Sequence, residues 1–185
     1  IKPGLAPYYA SSQLVKIIGH EIEHAHQTKL INQKNITTNT QLIQYCELAR
    51  NKHQNNLYII ISNMKYEKFW QYCYTERTAN FVGDFLALDV IRQLNKYIAV
   101  SDIEALIAND ILAQALMPYK ITSNPTAYYL KQFGLTLPDS IYEGLTPEEK
   151  MFYGLNLSKE ELHYFQKNPD ETLNSIQTLS KTIQK

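Results

Sequence analysis

The chain has 185 residues, of which 44% are hydrophobic, enough to build a core without covalent cross-links. Lys plus Arg and Asp plus Glu each total 18, so the formal net charge is zero. Nucleic-acid-binding domains usually carry a basic excess, and we therefore expect no nucleic-acid partner. Cys46 and Cys73 are too few for a disulfide framework.

No apolar run is long enough to span a bilayer, so we expect no membrane span. The sequence begins at Ile1 rather than Met and has no charged-then-apolar leader pattern. These features favour a fragment of a longer chain and a cytoplasmic location.

The first predicted helix begins at Ser11 or Ser12, both good N-caps, and ends near Leu30. Three- and four-residue spacing of apolar residues supports it: Leu14, Ile17, Ile18, Ile22 and Ala25. A loop over Asn32–Thr40 and a helix over Gln41–Asn55 follow. The run Leu57–Ser62 fits either a strand or a helix, and periodicity does not decide between them.

A long helical pattern covers Glu67–Ile98, with apolar positions that include Phe81, Phe85, Leu88 and Ile91. Ser101 and Glu104 form a capping-box pattern for a helix that ends at Leu116, before Met117-Pro118. Short helices are predicted after Thr146 and Ser158, and a final polar one after Asn168. We therefore predict a mainly α fold with at most a small β-sheet, divided into a metal-binding domain (residues 1–120) and a helical C-terminal extension (residues 121–185).

The segment from Gly19 to His24 contains the pattern HExxH. On a helix, His20 and His24 lie one turn apart on the same face and can direct two imidazoles at one metal ion. Glu21 lies beside them and can act as a general base on the attacking water. This arrangement is typical of zinc metallopeptidases, in which the metal activates water and polarises a carbonyl.

A catalytic zinc needs a third protein ligand. The pattern HExxHxxGxxH is excluded, because Gln27 and Leu30 occupy its last two positions. The other common arrangement takes a Glu from a second helix, and Glu76 supplies it. Asn80, one turn later, could hydrogen-bond a ligating histidine. The small residues Ala79 and Gly83 would let the two helices approach closely. The alternative is that Glu76 is a solvated residue paired with Arg77 or Lys68.

HExxH followed by ExxA[D/N] resembles the gluzincin metallopeptidases. The second motif is similar to that of the CAAX-prenyl-endopeptidase and HtpX-like family at Glu76, Ala79 and Gly83, with Asn80 in place of Asp. It is also similar to the ImmA/IrrE family at Glu76, Ala79 and Asn80, with Val82 and Gly83 where Phe and Ala are expected. The resemblance is confined to two short stretches within residues 17–83.

The resemblance implies a zinc-dependent endopeptidase: Zn²⁺ held by His20, His24 and Glu76, Glu21 as the catalytic base, and a peptide or protein substrate. Zincin domains usually place a small sheet before the HExxH helix, whereas only Ile1–Ala10 precede it here. The sheet therefore lies upstream or includes Leu57–Ser62. The alternative is a non-catalytic or degenerate module whose C-terminal helices bind a protein partner. In a third hypothesis HExxH is a coincidence.

Other polar residues are assigned lesser roles. We expect His26 to be a surface residue and Glu23 to form a solvent-exposed salt bridge. An oxyanion-stabilising Tyr or His is common in gluzincins. Tyr153 and His163 are candidates for that role, although packing is the simpler expectation for each.

Overall fold

The structure is a computed structural model, and it describes residues 3–32, 74–132 and 144–182. These residues are mainly α-helical and none of them lies in a strand, which confirms the predicted fold class. The helices are α1 (Ala6–Asn32), α2 (Tyr74–Leu94), α3 (Ser101–Leu116), α4 (Pro125–Gln132), α5 (Pro147–Tyr153), α6 (Lys159–Lys167) and α7 (Pro169–Thr182), with 3-10 turns at Pro3–Leu5 and Met117–Lys120.

Several predictions made from the sequence lie outside the described residues. They are the loop after Asn32, the helix over Gln41–Asn55, the Leu57–Ser62 run, Cys46 and Cys73, and the start of the Glu67–Ile98 pattern. Among the described helices, none combines the length and the apolar character that a bilayer crossing needs.

Helices α1 and α2 pack as an antiparallel pair. Lys16 contacts Asp84 and Gln27 contacts Thr78, so the order of contacts reverses along the second helix. Glycines let the backbones approach closely between these contacts. A Cβ atom on Gly83 would lie 2.3 Å from the carbonyl oxygen of Lys16, and one on Gly19 would lie 3.0 Å from Gly83 Cα. Close approach of the two helices at Gly83 was predicted from the sequence, and the packing requires a glycine there.

The face of α1 that meets α2 is small and polar rather than apolar. Gly19 and three polar residues on that face are buried: Ser12, Glu23 and Gln27. The apolar residues that predicted the helix instead point outwards, because the polar face makes the contacts with α2. Their exposed fractions are 59% for Leu14, 58% for Ile17, 48% for Ile18 and 60% for Ile22.

The hydrophobic core lies on the other side of α2. The predicted apolar positions Phe81, Phe85, Leu88 and Ile91 are all buried. They form one cluster with residues of α3, of α5 and of the segments that follow: Ile103, Ile107, Ile111, Met151, Phe152, Leu155, Leu157, Phe165 and Ile176. The predicted domain boundary near residue 120 stays a prediction, although helices on both sides of that boundary share this core.

Arg77 connects α2 to the ends of two other helices through hydrogen bonds. Its guanidinium is buried and donates to the carbonyl oxygens of Gln114 (2.9 Å) and Ala115 (3.0 Å) at the end of α3. It also donates to those of Met151 (2.8 Å) and Phe152 (2.9 Å) at the end of α5. Carbonyls in the last turn of a helix lack helical partners and carry partial negative charge, so a buried cation is stabilised there.

One predicted helix start is wrong, and one predicted capping box does not form. Helix α1 begins at Ala6, with Pro7 in the first turn, and the Ser12 hydroxyl donates to the carbonyl of Tyr9 inside the helix. Val100, not Ser101, is the N-cap of α3, and it offers no side-chain cap.

Glu104 is therefore not part of a capping box. Its carboxylate instead accepts hydrogen bonds from Arg92 (3.0 Å) and Asn95 (3.2 Å). The α2 helix also ends at Leu94, four residues before the predicted end. By contrast, the capping boxes at Thr146 and Ser158 and the end of α3 at Leu116 are confirmed.

Candidate metal centre

Three metal-ligating side chains converge where α1 meets the first turn of α2. His20 and His24 come from successive turns of α1, and Glu76 comes from α2. His24 Nε2 lies 3.0 Å from His20 Nε2 and 3.3 Å from Glu76 Oε2, and His20 Nε2 lies 3.4 Å from the same oxygen. The structure thus brings together the three residues that the sequence predicted as ligands.

These separations match the edges of a tetrahedral zinc site. Zn–N and Zn–O bonds of about 2.1 Å at tetrahedral angles place neighbouring ligand atoms about 3.4 Å apart. The three observed separations are 3.0, 3.3 and 3.4 Å. Three protein ligands also leave the fourth position open, as catalytic zinc sites require. The donor atoms therefore fit a zinc ion.

Gln27 fixes the orientation and tautomer of His24. The Gln27 side-chain amide donates through Nε2 to Glu23 Oε1 (3.3 Å) and Thr78 Oγ1 (2.9 Å). Its Oε1 is therefore an acceptor, and it lies 3.1 Å from His24 Nδ1. A hydrogen on His24 Nδ1 satisfies this contact, and the neutral ring then has its lone pair on Nε2.

This lone pair points at other electron-rich atoms. His24 Nε2 faces the carboxylate oxygen of Glu76 and the second imidazole nitrogen, from His20. A cation between these atoms, either a metal ion or an added proton, removes the repulsion. Ligating histidines commonly hold their other nitrogen in a hydrogen bond of this kind, so the Gln27 contact suits a metal site.

Glu76 is ionised at neutral pH. Burial raises the pKa of its carboxyl group, but when His20 and His24 are protonated at Nε2 their hydrogen bonds and charges outweigh burial and lower the pKa to about 2. The position in the first turn of α2 also favours a negative charge. Of the two alternative partners, Arg77 donates to the carbonyls at the ends of α3 and α5, and Lys68 lies outside the described residues.

Glu21 lies on the exposed side of α1, next to His20 in the sequence. Its carboxylate is about 100° around the helix axis from His20, so it borders the cluster without joining it. A residue in this position can accept a proton from water that approaches the open side of the site.

The structure does not bring Asn80 to a ligating histidine. Asn80 is half-buried, and among the described residues its side chain forms no hydrogen bond. It lines a cavity together with Lys16. The contact predicted for Asn80 is made instead by Gln27, on the same helix as the histidines.

Glu23 and His26 differ from expectation. Glu23 is only 3% exposed, so the predicted solvent-exposed salt bridge is wrong. Burial raises the pKa of Glu23, whose Oε2 lies 3.5 Å from His26 Nδ1. His26 is half-buried rather than a surface residue, and it is not part of the three-residue cluster.

Neither candidate for stabilising an oxyanion gains support from its position. Tyr153 is 2% exposed and belongs to the hydrophobic core, where its ring packs edge-on against Phe152. His163 lies on the exposed part of α6. Packing, the simpler expectation, holds for the tyrosine.

The sequence reasoning missed Gln27 and Arg77. Gln27 follows His24 by three residues, a spacing that places the two side chains on one helix face, so the pattern contained a signal. Arg77 offered none, because its partners are backbone carbonyls distant in the sequence.

Comparison of the chain with protein-family models, curated proteins and solved structures gives no match. The function proposed next is therefore supported by the geometry of the site.

Proposed function

We propose that this protein is a zinc-dependent metalloendopeptidase of the gluzincin type, with Zn²⁺ bound by His20, His24 and Glu76. The observation that carries the proposal is the convergence of three donor atoms at separations of 3.0–3.4 Å, close to those of tetrahedral zinc ligands. The position of Glu21 within the HExxH pattern supports a hydrolytic role for the site.

The donor set favours zinc over calcium, magnesium and manganese. Two imidazoles and one carboxylate in a three-ligand site suit zinc, whereas calcium, magnesium and manganese prefer oxygen ligands alone. The Gln27 contact keeps His24 in the tautomer that ligation needs. Glu76 is ionised and supplies a negative charge to offset part of the charge of the cation.

The residues of the chain would divide the reaction as follows. Bound zinc supplies a Lewis acid that polarises the peptide carbonyl and lowers the pKa of water. Glu21 takes the proton from the attacking water and later passes it to the leaving amine. His20, His24 and Glu76 hold the cation, and the Gln27 amide keeps one imidazole in place.

The first experiment measures zinc by elemental mass spectrometry in the purified protein, in Glu76→Ala and in Glu160→Ala. Glu160 is exposed in the first turn of α6 and serves as the matched control. We expect about one zinc per chain in the wild type and the control, and loss of zinc in Glu76→Ala. Absence of zinc from the wild type after reconstitution would contradict the proposed site.

The second experiment tests the role of Glu21. Glu21→Gln removes the base while keeping the size of the side chain, so we expect zinc binding to persist and peptide hydrolysis to fall by at least a hundredfold. Peptide cleavage is followed by mass spectrometry on zinc-loaded protein. Comparable hydrolysis by the variant would refute the mechanism.

The alternative is a non-catalytic or degenerate metallopeptidase-like module that binds a protein partner. The observation that favours it is the exposed apolar row on α1, which contains Leu14, Ile17, Ile18 and Ile22. Under this alternative the protein binds zinc yet cleaves no peptide, and Glu21→Gln changes nothing. A partner bound through the C-terminal helices and a cytoplasmic location both stay predictions.

A further inference from the structure

A cavity of about 260 Å³ lies one helical turn from the metal centre. Lys16 lines it from the turn of α1 before His20, and Asn80 lines it from the turn of α2 after Glu76. Four residues correspond to about 6 Å along a helix, roughly the distance between alternate residues of an extended peptide. A side chain close to the bond being cleaved can therefore reach the cavity. Its volume, slightly below that of sites for drug-sized ligands, suits a single side chain.

The positive charge at the cavity is already neutralised. Lys16 Nζ lies 2.7 Å from Asp84 Oδ1, and the Gln114 amide donates to the other Asp84 oxygen at 2.6 Å. Asp84 is only 2% exposed, so these two cavity residues are committed to a buried carboxylate. Lys16 is therefore poorly suited to recognise an acidic side chain or a free carboxyl terminus.

A second carboxylate lines the cavity, and within the described ranges it is free of ion pairs. Asp110 lies on the exposed side of α3 and lines the cavity, and among the described residues nothing forms an ion pair or hydrogen bond with it. Of the described residues, one cation, Lys16, and two carboxylates, Asp84 and Asp110, lie at this region, and together they carry a formal charge of −1. The Asn80 amide offers a further oxygen acceptor beside them.

The other described residues that line the cavity are apolar. They are Ala113, Met117 and Pro118, from the last turn of α3 and the 3-10 turn that follows. Lysine and arginine side chains combine an apolar stem with a charged end, and they bury the stem along such surfaces. An apolar wall with an unpaired carboxylate at its edge therefore matches a basic side chain.

We propose that this cavity is a specificity subsite that binds a lysine or arginine side chain of the substrate, with Asp110 as its ion-pair partner. The inference rests on the proposed peptidase function, because it assigns the cavity to the substrate of that site. The stem of the basic residue lies against Met117 and Pro118, and Asn80 accepts a hydrogen bond from its charged end.

The test uses sets of three peptides that carry Arg, Gln or Glu at one position and are otherwise identical. Each set places that position at a different residue next to the cleaved bond. We expect kcat/KM for the Arg peptide to exceed that for the Gln peptide by about twofold to fivefold at one of these positions, because an exposed ion pair contributes up to about 1 kcal/mol. Asp110→Asn should bring the ratio close to one, and Asp110→Lys should favour the Glu peptide. Asp170→Asn, an exposed change in α7, is the control that keeps the wild-type ratio.

Two further measurements test the Arg preference without relying on the folding of a variant at Asp110 or on peptide hydrolysis. The Arg preference of the wild type should shrink in 1 M NaCl, where the screening length is about 3 Å. Binding of the same labelled peptides to zinc-loaded Glu21→Gln protein, measured by fluorescence anisotropy, should show the same preference without cleavage.

The outcomes separate the inference from the proposed function. Cleavage with equal rates for the Arg and Gln peptides would overturn the subsite and leave the peptidase standing. Arg-selective binding that Asp110→Asn abolishes, without cleavage of any peptide, would support the subsite and refute the peptidase. Neither binding preference nor cleavage would refute both.

Discussion

Loss of the contact between Gln27 and His24 should weaken the proposed binding of zinc. Gln27→Leu keeps most of the side-chain volume but removes the oxygen that lies 3.1 Å from His24 Nδ1. Such a hydrogen bond contributes about 0.5–1.5 kcal/mol, and the freed ring also loses its orientation and tautomer. Loss of an orienting partner typically weakens metal binding by about 10–100-fold, which corresponds to about 1.4–2.7 kcal/mol. We expect a loss in this range for Gln27→Leu.

The assay is a competition titration of the metal-free protein against a chromophoric zinc chelator. Two controls isolate the contact with the histidine. Thr78→Val removes the other strong hydrogen bond of Gln27, 2.9 Å long, without touching His24. Asn80→Ala removes the side chain that the sequence had assigned to this role. Both variants should bind zinc within about twofold of the wild type, since both leave the hydrogen bond between Gln27 and His24 in place.

Gln27→Leu also removes a hydrogen bond to the buried Glu23. Urea denaturation of each metal-free variant therefore accompanies the titration, so that a loss of folding is not mistaken for a loss of affinity. Wild-type zinc affinity in a folded Gln27→Leu protein would refute the orienting role. A tenfold loss in Asn80→Ala alone would restore the role predicted from the sequence.

Three further predictions concern stability, each measured by urea denaturation. Arg77→Met should lower the free energy of unfolding by about 3 kcal/mol or more, because four hydrogen bonds to buried carbonyls are lost, and a loss below about 1 kcal/mol would contradict its role in connecting the helices. Gly83→Ala should lower the free energy of unfolding by about 1–3 kcal/mol, because its Cβ would overlap the Lys16 carbonyl. The control Gly4→Ala, with open space around its Cβ, should leave the free energy of unfolding nearly unchanged. Equal effects of the two substitutions would argue against the close packing. Burial raises the pKa of Tyr119, so the unfolded chain ionises first as the pH rises above about 10, and stability should fall by about 1.4 kcal/mol more between pH 9 and 11 in the wild type than in Tyr119→Phe. Identical pH profiles would refute that assignment.

The features that the sequence predicted well are set by residues close to one another in the chain. The capping boxes at Thr146 and Ser158 each need only a hydroxyl and a Glu three residues later, and both formed. The buried row of α2 from Phe81 to Ile91 follows from helical periodicity against a large core. His20 and His24 share a face for the same reason, because i and i+4 positions overlap on any helix.

The features that the sequence did not predict depend on the partner surface. Periodicity identified α1 as a helix but suggested the wrong contact face. Gly19 and Gln27 meet α2, while Ile17 and Ile22 are exposed. Polar residues can form the contact because each finds a partner across it, as Gln27 does with Thr78. A one-dimensional pattern contains no information on where such partners lie.

The same limitation applies to the start of α3. Ser101 and Glu104 satisfy the capping-box pattern, but Arg92 and Asn95 at the end of α2 offer Glu104 two donors. The Asn95 side chain also accepts from the backbone N–H of Val100, which is the N-cap residue in the structure. A tertiary contact therefore replaced the local cap.

The metal centre and the C-terminal helices are linked through adjacent residues of α2. Glu76 faces the two histidines of α1, and Arg77, about 100° further around the helix, contacts the ends of α3 and α5. A shift of α2 that relaxed the carbonyl contacts of Arg77 would move Glu76 by a similar amount. Ligand separations near 3.4 Å tolerate little such movement, because metal–ligand bonds vary by only about 0.2 Å. Through Arg77, the helices after residue 120 would therefore hold the proposed third ligand in place, even though none of their described side chains is in the three-residue cluster.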